Sequence, residues 1–169
     1  MKKISLLILK LLNYKIDLVN IPEEKKYVLV FAPHTSWHDF VIGKIALTAM
    51  GVKTTFLIKK EFFFFPLKGY LKYLGGYPVD RKRAQKLTDT LAAYIKERDE
   101  IAFLITPEGT RKRVETWKRG FYYIAKKAEV PIALAYLDYG IKKAVLVPFF
   151  ILREIMRLIC RKFKSFTVA

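Results

Sequence analysis

Apolar and polar positions along this chain switch between a period near two and a period near three and a half, and the switches mark strands alternating with helices. Tyr27 to Ala32 is a continuous apolar run with the length and composition of a buried strand. Val52–Ile58 and Ile101–Ile105 read the same way, and so do Pro131–Leu137 and Ala144–Val147. Tyr77-Pro78-Val79 predicts a short or edge strand, because proline donates no ladder hydrogen bond. The clearest helical pattern covers 84–98, with Leu87, Leu91, Tyr94 and Ile95 on one face. Ser36 is placed to cap a helix that stops at Gly51, and Asp39, three residues on, completes a capping box. Shorter helices are expected at Leu67–Leu74 and 121–128, and an amphipathic one at Phe149–Phe166 with Arg153, Arg157, Arg161 and Lys164 at helical spacing.

Two stretches leave their surroundings open. Residues 3–13 place Ile4, Leu7, Ile8, Leu11 and Leu12 on one helical face, flanked by Lys2, Lys3, Lys10 and Lys15. Such a helix lies in a membrane interface or packs on the core, so residues 1–15 are a candidate membrane-surface segment. Phe62–Phe65 are four consecutive phenylalanines, expected in the core before a wall for an apolar ligand. Strands alternating with helices predict an α/β fold, a mostly parallel central sheet flanked by helices on both faces. No linker or repeat divides residues 1–169, which read as one domain.

Charge and composition then narrow the partners. A net charge of +17 accompanies 53% hydrophobic residues. That combination suits an anionic membrane surface, since no nucleic-acid-binding motif accompanies the charge. Lys10 breaks the first apolar run well short of a membrane span, and no small-residue cleavage site follows it. The single cysteine, Cys160, excludes an internal disulfide and fits a reducing compartment. The expectation is a peripheral protein on the cytoplasmic side of the cell membrane.

The candidate chemistry sits at strand ends. Both histidines, His34 and His38, follow the first strand, with Asp39 behind them. His34 and Asp39 lie far apart around a single helix, so they meet only if His34 precedes the helix and Asp39 sits in its first turn. Asp39 then holds one imidazole nitrogen and leaves the other to take a proton from a hydroxyl. Asp80/Arg81 and Glu108-Gly109-Thr110-Arg111 end two further strands. Ligands of open α/β sheets gather beyond such carboxyl ends, so the three clusters are expected to converge. Arg81 and Arg111 suit bidentate capture of a phosphate, and Gly109 lets main-chain amides approach an anion. Glu108 either orients the arginines or accepts from a substrate hydroxyl. Ser5, Ser36 and Ser165 lie in no nucleophile elbow, so the expected nucleophile is the substrate's own hydroxyl. No metal is expected, because His34 and His38 lack a third ligand.

Taken together, these blocks resemble those of the glycerolipid acyltransferases, the 1-acylglycerol-3-phosphate O-acyltransferase (lysophosphatidic acid acyltransferase) family. Its His-x-x-x-x-Asp block is matched by His34 through Asp39, and its arginine block by Gly75-Gly76-Tyr77-Pro78-Val79-Asp80-Arg81. Its Phe-Pro-Glu-Gly-Thr-Arg block is matched by Thr106 through Arg111, with Thr106 replacing phenylalanine, and its proline strand by Val130-Pro131-Ile132. The resemblance implies a glycerol-3-phosphate acyltransferase-like fold and transfer of a fatty acyl group from an acyl-CoA or acyl-carrier-protein thioester to a lyso-phospholipid hydroxyl. It implies no cofactor. It makes His34 the base and Asp39 its orienter. It assigns Arg81, Glu108, Gly109, Thr110, Arg111 and the weaker match Lys60 to the acceptor, with Pro131 shaping the site. Acceptors of this kind include 1-acylglycerol-3-phosphate and other lyso-lipids, aminolipids among them. The non-enzymatic alternative is a module that binds anionic lipid through its basic, amphipathic ends.

Overall fold

The strands assemble into one seven-stranded sheet of order β1-β7-β6-β2-β5-β3-β4. The computed structural model describes residues 1–16, 23–80, 84–112 and 114–150, with the side chains of 84–86 and 148–150 set aside. In chain order the elements are α1 (Lys2–Leu11), β1 (Lys15–Ile16), β2 (Lys26–Phe31), α2 (Trp37–Met50), β3 (Thr54–Lys59), a 3-10 turn (Lys60–Phe62) and α3 (Leu67–Tyr73). They continue with β4 (Gly76–Val79), α4 (Ala84–Lys96), β5 (Ile101–Ile105), α5 (Gly120–Ala128), β6 (Ile132–Asp138) and β7 (Lys143–Phe150).

The four strands around β2 and β5 run parallel, as does β6 beside β2, and β7 returns antiparallel to β6. The sheet is therefore mostly parallel, as the alternating pattern predicts. Its two faces bury alternate residues of β2. Tyr27, Leu29 and Phe31 pack with Leu9 of α1 and Ala46, Leu47 and Met50 of α2. Val28 and Val30 pack with Leu91 and Ile95 of α4 and Phe121 and Ile124 of α5. A strand covered on both faces has no polar side to show, which is why β2 reads as an unbroken apolar run.

Two expectations are corrected, and one left open is decided. Phe62, Phe64 and Phe65 are 53%, 54% and 93% exposed, so they are not core. They follow β3 past the sheet's carboxyl edge, where no layer covers them, and α3 beyond them buries no residue. For α1, expected either in a membrane interface or on the core, the amphipathic face is turned away from the core. Ser5 and Leu9 face inward, while Ile4, Leu7 and Leu11 are 63%, 57% and 77% exposed. The chain is still strand at 149–150, where a helix was expected; the rest of that expected helix lies outside the described residues. Pro148 is tolerated because it falls at the register shift between β7 and β6.

Two glycines are required by the backbone. Gly75 has φ +93, and a Cβ there would sit 2.1 Å from the Thr54 carbonyl oxygen. Gly109, in the loop after β5, has φ +64, the left-handed region that glycine enters without strain.

Candidate active site

Beyond the last residue of β2 the chain turns before α2 begins, and His34 lies in that turn. Asp39 is the third residue of α2 and is almost fully buried. The capping box forms, with Ser36 as N-cap. Asp39 Oδ2 accepts from the Ser36 N–H at 2.7 Å and from the Thr35 N–H at 2.6 Å. The Thr35 hydroxyl donates to the same oxygen at 3.2 Å. His34 Nδ1 faces Asp39 Oδ2 at 3.6 Å, longer than a hydrogen bond and close enough to tighten in a substrate complex. Among the described residues, that buried nitrogen has no hydrogen-bond partner. Nδ1 toward the carboxylate leaves Nε2 for a substrate hydroxyl. The two residues meet as the helix-start geometry predicts.

The electrostatics suit a base and its orienter. Burial alone would raise the Asp39 carboxyl, but hydrogen bonds from Tyr139, Ser36 and Thr35 together hold it below its ordinary value. It is a carboxylate at neutral pH. Burial lowers the His34 imidazole, Asp39 opposes this, and Arg111 adds to it; the net value lies below 6.5. His34 is therefore neutral and able to accept a proton at neutral pH.

Glu108 rises from the loop after β5, the strand hydrogen-bonded to β2, and is 6% exposed. Its Oε1 accepts from the His34 N–H at 3.2 Å, which ties the two loops together. Oε2 is buried without a hydrogen-bond partner among the described residues. Burial is the main reason its carboxyl is raised, with Asp39 adding to it and the N–H groups of Glu108 and His34 opposing. The contact seen for Glu108 is thus with the main chain of His34. Gly109 and Thr110 turn the chain outward, with the Thr110 hydroxyl accepting from the Lys112 N–H at 3.2 Å. Arg111 is exposed and acts on His34 through its field.

Lys60, Asp80 and Pro131 are not brought to His34. Lys60 is exposed just past β3, two strands from β2, or roughly 10 Å across the sheet. Asp80 directly follows β4, a strand further away, and Arg81 lies outside the described residues. Pro131 precedes β6 at the amino end of the sheet, where its carbonyl accepts from the Val28 N–H at 3.0 Å. It cannot shape a site at the carboxyl edge, because β6 runs parallel to β2 and a whole strand separates them. His38 is exposed and stacks on Trp37, with ring centroids 4.4 Å apart.

One residue of the site has no sequence signal. Tyr139, in the turn between β6 and β7, donates its hydroxyl to Asp39 Oδ1 across a separation of 100 residues. No local spacing links a hairpin corner to a helix cap so far away.

A buried carboxylate thus lies behind a histidine beyond the carboxyl edge of a mostly parallel sheet, where ligands of α/β proteins gather. The Acyltransferase family model matches residues 15–137, and the chain belongs to that family. It is an acyltransferase. The fold is also that of a solved structure, the 1-acyl-sn-glycerophosphate (LPA) acyltransferase PlsC from Thermotoga maritima. The likeness has a TM-score of 0.64 at 19% identity and covers 99% of this chain and 78% of that one. No curated protein matches the chain in sequence.

Proposed function

We propose that the protein transfers a fatty acyl group from an acyl-CoA or acyl-carrier-protein thioester to the hydroxyl of a lyso-phospholipid such as 1-acylglycerol-3-phosphate. The observation that carries this reading is the buried, ionised Asp39 facing His34 Nδ1 at 3.6 Å. The acceptor hydroxyl gives its proton to His34 Nε2 as its oxygen attacks the thioester carbonyl. Asp39 stabilises the imidazolium that forms. The tetrahedral intermediate then collapses, the carbon–sulfur bond breaks, and the imidazolium returns its proton to the departing thiolate. The products are an ester and a free thiol. No covalent enzyme intermediate is needed: Ser36, the serine next to the pair, is the N-cap of α2 and turns its hydroxyl toward Asp39 Oδ1.

Gly109, Thr110 and Arg111, on the loop that Glu108 ties to His34, are assigned to the acceptor's phosphate. Lys60, just past β3, and Arg81, outside the described residues, are assigned to the same anion. Oε2 of Glu108, buried and without a hydrogen-bond partner among the described residues, is suited to accept from a substrate hydroxyl.

The same reading places the protein peripherally on the cytoplasmic face of the cell membrane. No helix among the described residues is long and apolar enough to cross a membrane. The exposed Ile4, Leu7 and Leu11 of α1 adjoin a second apolar stretch, because the Tyr73 hydroxyl lies 3.2 Å from Met1 Sδ. Phe64, Phe65 and Tyr70 belong to that stretch and are exposed. Lysines 2, 3, 10, 68 and 72 accompany these side chains and suit anionic headgroups.

A thiol-release assay with acyl-CoA and acyl-carrier protein over a panel of lyso-phospholipid and lyso-aminolipid acceptors tests the reading. Release that depends on a phosphate-bearing lyso-lipid is the expected result. No release with any acceptor would leave the non-catalytic lipid-binding module as the better account.

A further inference from the structure

The two oxygens of Asp39 are held by different parts of the chain. Oδ2, the oxygen that faces His34, is fixed by the local turn through the Thr35 and Ser36 N–H groups. Both donors converge on one oxygen, so alone they leave the carboxylate free to swing about the bond that carries it. Oδ1 is the oxygen that sets the plane. It receives the Tyr139 hydroxyl, with Ser36 Oγ a longer contact at 3.4 Å.

Tyr139 is itself held from two sides. It follows β6, and β6 is hydrogen-bonded to β2, with Ala135 opposite Phe31. The hairpin corner therefore stands at the same sheet edge as His34. Asp138 Oδ1 fixes that corner by accepting from the N–H groups of Gly140 at 3.0 Å and Ile141 at 3.2 Å. The Tyr139 ring meets Tyr14 edge-on, with centroids 6.4 Å apart at 85°. Tyr139 is nevertheless 50% exposed, so burial of its ring does not account for the inward aim of its hydroxyl.

We propose that Tyr139 is a positioning residue of the His34–Asp39 pair: its hydroxyl fixes the plane of the Asp39 carboxylate and tempers the charge that Asp39 presents to the imidazole. This rests on the acyl-transfer reading for its catalytic consequence but not for its structural one. Burial and the bond to Asp39 push the phenol up to about 12, so it remains a donor through the working range of a histidine base. A donor on Oδ1 withdraws charge from the carboxylate. Without it, Asp39 favours the imidazolium more strongly, and His34 titrates at higher pH. The other groups facing the pair are Glu108 and Arg111 from the loop after β5 and Tyr14 from the segment after α1. Tyr139→Phe alters none of them.

The test is an NMR titration of the His34 imidazole in Tyr139→Phe and in a protein with 3-fluorotyrosine at position 139. The chain has two histidines, so His38→Ala assigns the His34 signal. The expected result is a His34 titration displaced to higher pH by the phenylalanine. The fluorinated phenol is a stronger donor of the same shape and displaces it to lower pH. In the thiol-release assay, Tyr139→Phe lowers kcat about ten- to hundredfold with the acceptor KM nearly unchanged. The acid limb of its pH–rate profile moves with the titration. An unmoved His34 titration in both proteins overturns the proposal, as does a fall in kcat that leaves the acid limb in place. Should the wild-type protein release no thiol, the acyl-transfer reading fails, and the titration still decides the part assigned to Tyr139.

Discussion

Replacing Asp39 by asparagine separates the chemistry of this residue from its structural part. Asparagine keeps the shape and places its carbonyl oxygen where the Thr35 and Ser36 N–H groups converge. Its amide then meets Tyr139, whose hydroxyl turns to accept. The helix cap survives, with two charge-assisted hydrogen bonds weakened to neutral ones at a cost of about 2 kcal/mol. That corresponds to a melting temperature roughly 4–8 °C lower in a domain of this size. The loss at His34 is larger. A carboxylate 3.6 Å from an imidazolium stabilises it by about 4–5 kcal/mol at an effective dielectric of about 20. Both side chains are largely shielded, 18% and 2% exposed, so solvent screening removes little of this. Asp39→Asn therefore lowers kcat about a thousandfold. Its acid limb moves to lower pH, because the charge that raises the His34 value is gone. Steady-state thiol release from pH 5 to 8, beside a melting curve, measures both. A kcat within about tenfold of wild type refutes the orienting role. A melting temperature lower by about 20 °C or more, with activity lost only in proportion to unfolding, makes Asp39 a structural residue instead.

Two further outcomes follow from the geometry. Gly109→Ala forces an L-residue into φ +64, at about 1–2 kcal/mol, and lowers the melting temperature by roughly 2–8 °C. Thermal unfolding checks this, and an unchanged curve means that the loop relaxes freely. Leu7→Glu with Leu11→Glu removes about 2–4 kcal/mol of apolar burial on a membrane, given the 57% and 77% of these residues now exposed. Sedimentation with anionic vesicles then shows binding weakened about thirtyfold or more at unchanged stability, and equal binding by the double variant would place the membrane elsewhere.

The elements that sequence makes plain are those whose pattern is set by burial on both sides. β2 and β5 are apolar throughout because α-helices cover both faces of the sheet. α4 shows its stripe because Leu91 and Ile95 face the core while the opposite side meets water. The His34–Asp39 meeting was legible from one helix cap, a local feature. Other parts depend on distant neighbours and leave no local mark. β1 is a two-residue edge that exists only because β7 lies beside it. Phe62–Phe65 carry the composition of a core, but the sheet edge gives them nothing to pack under. Pro131 matches a family block, yet strand direction sends it to the far end of the sheet. Tyr139 reaches Asp39 only because β6 pairs with β2, a fact of topology.

The central claim is that His34 is the base and His38, four residues on, is not. Thiol release from acyl-CoA with 1-acylglycerol-3-phosphate, measured on folded His34→Ala and His38→Ala, tests this most directly. The account predicts that His34→Ala abolishes turnover and that His38→Ala, whose exposed ring stacks on Trp37, retains most of it. Equal loss in the two variants, or turnover that survives without His34, would contradict it.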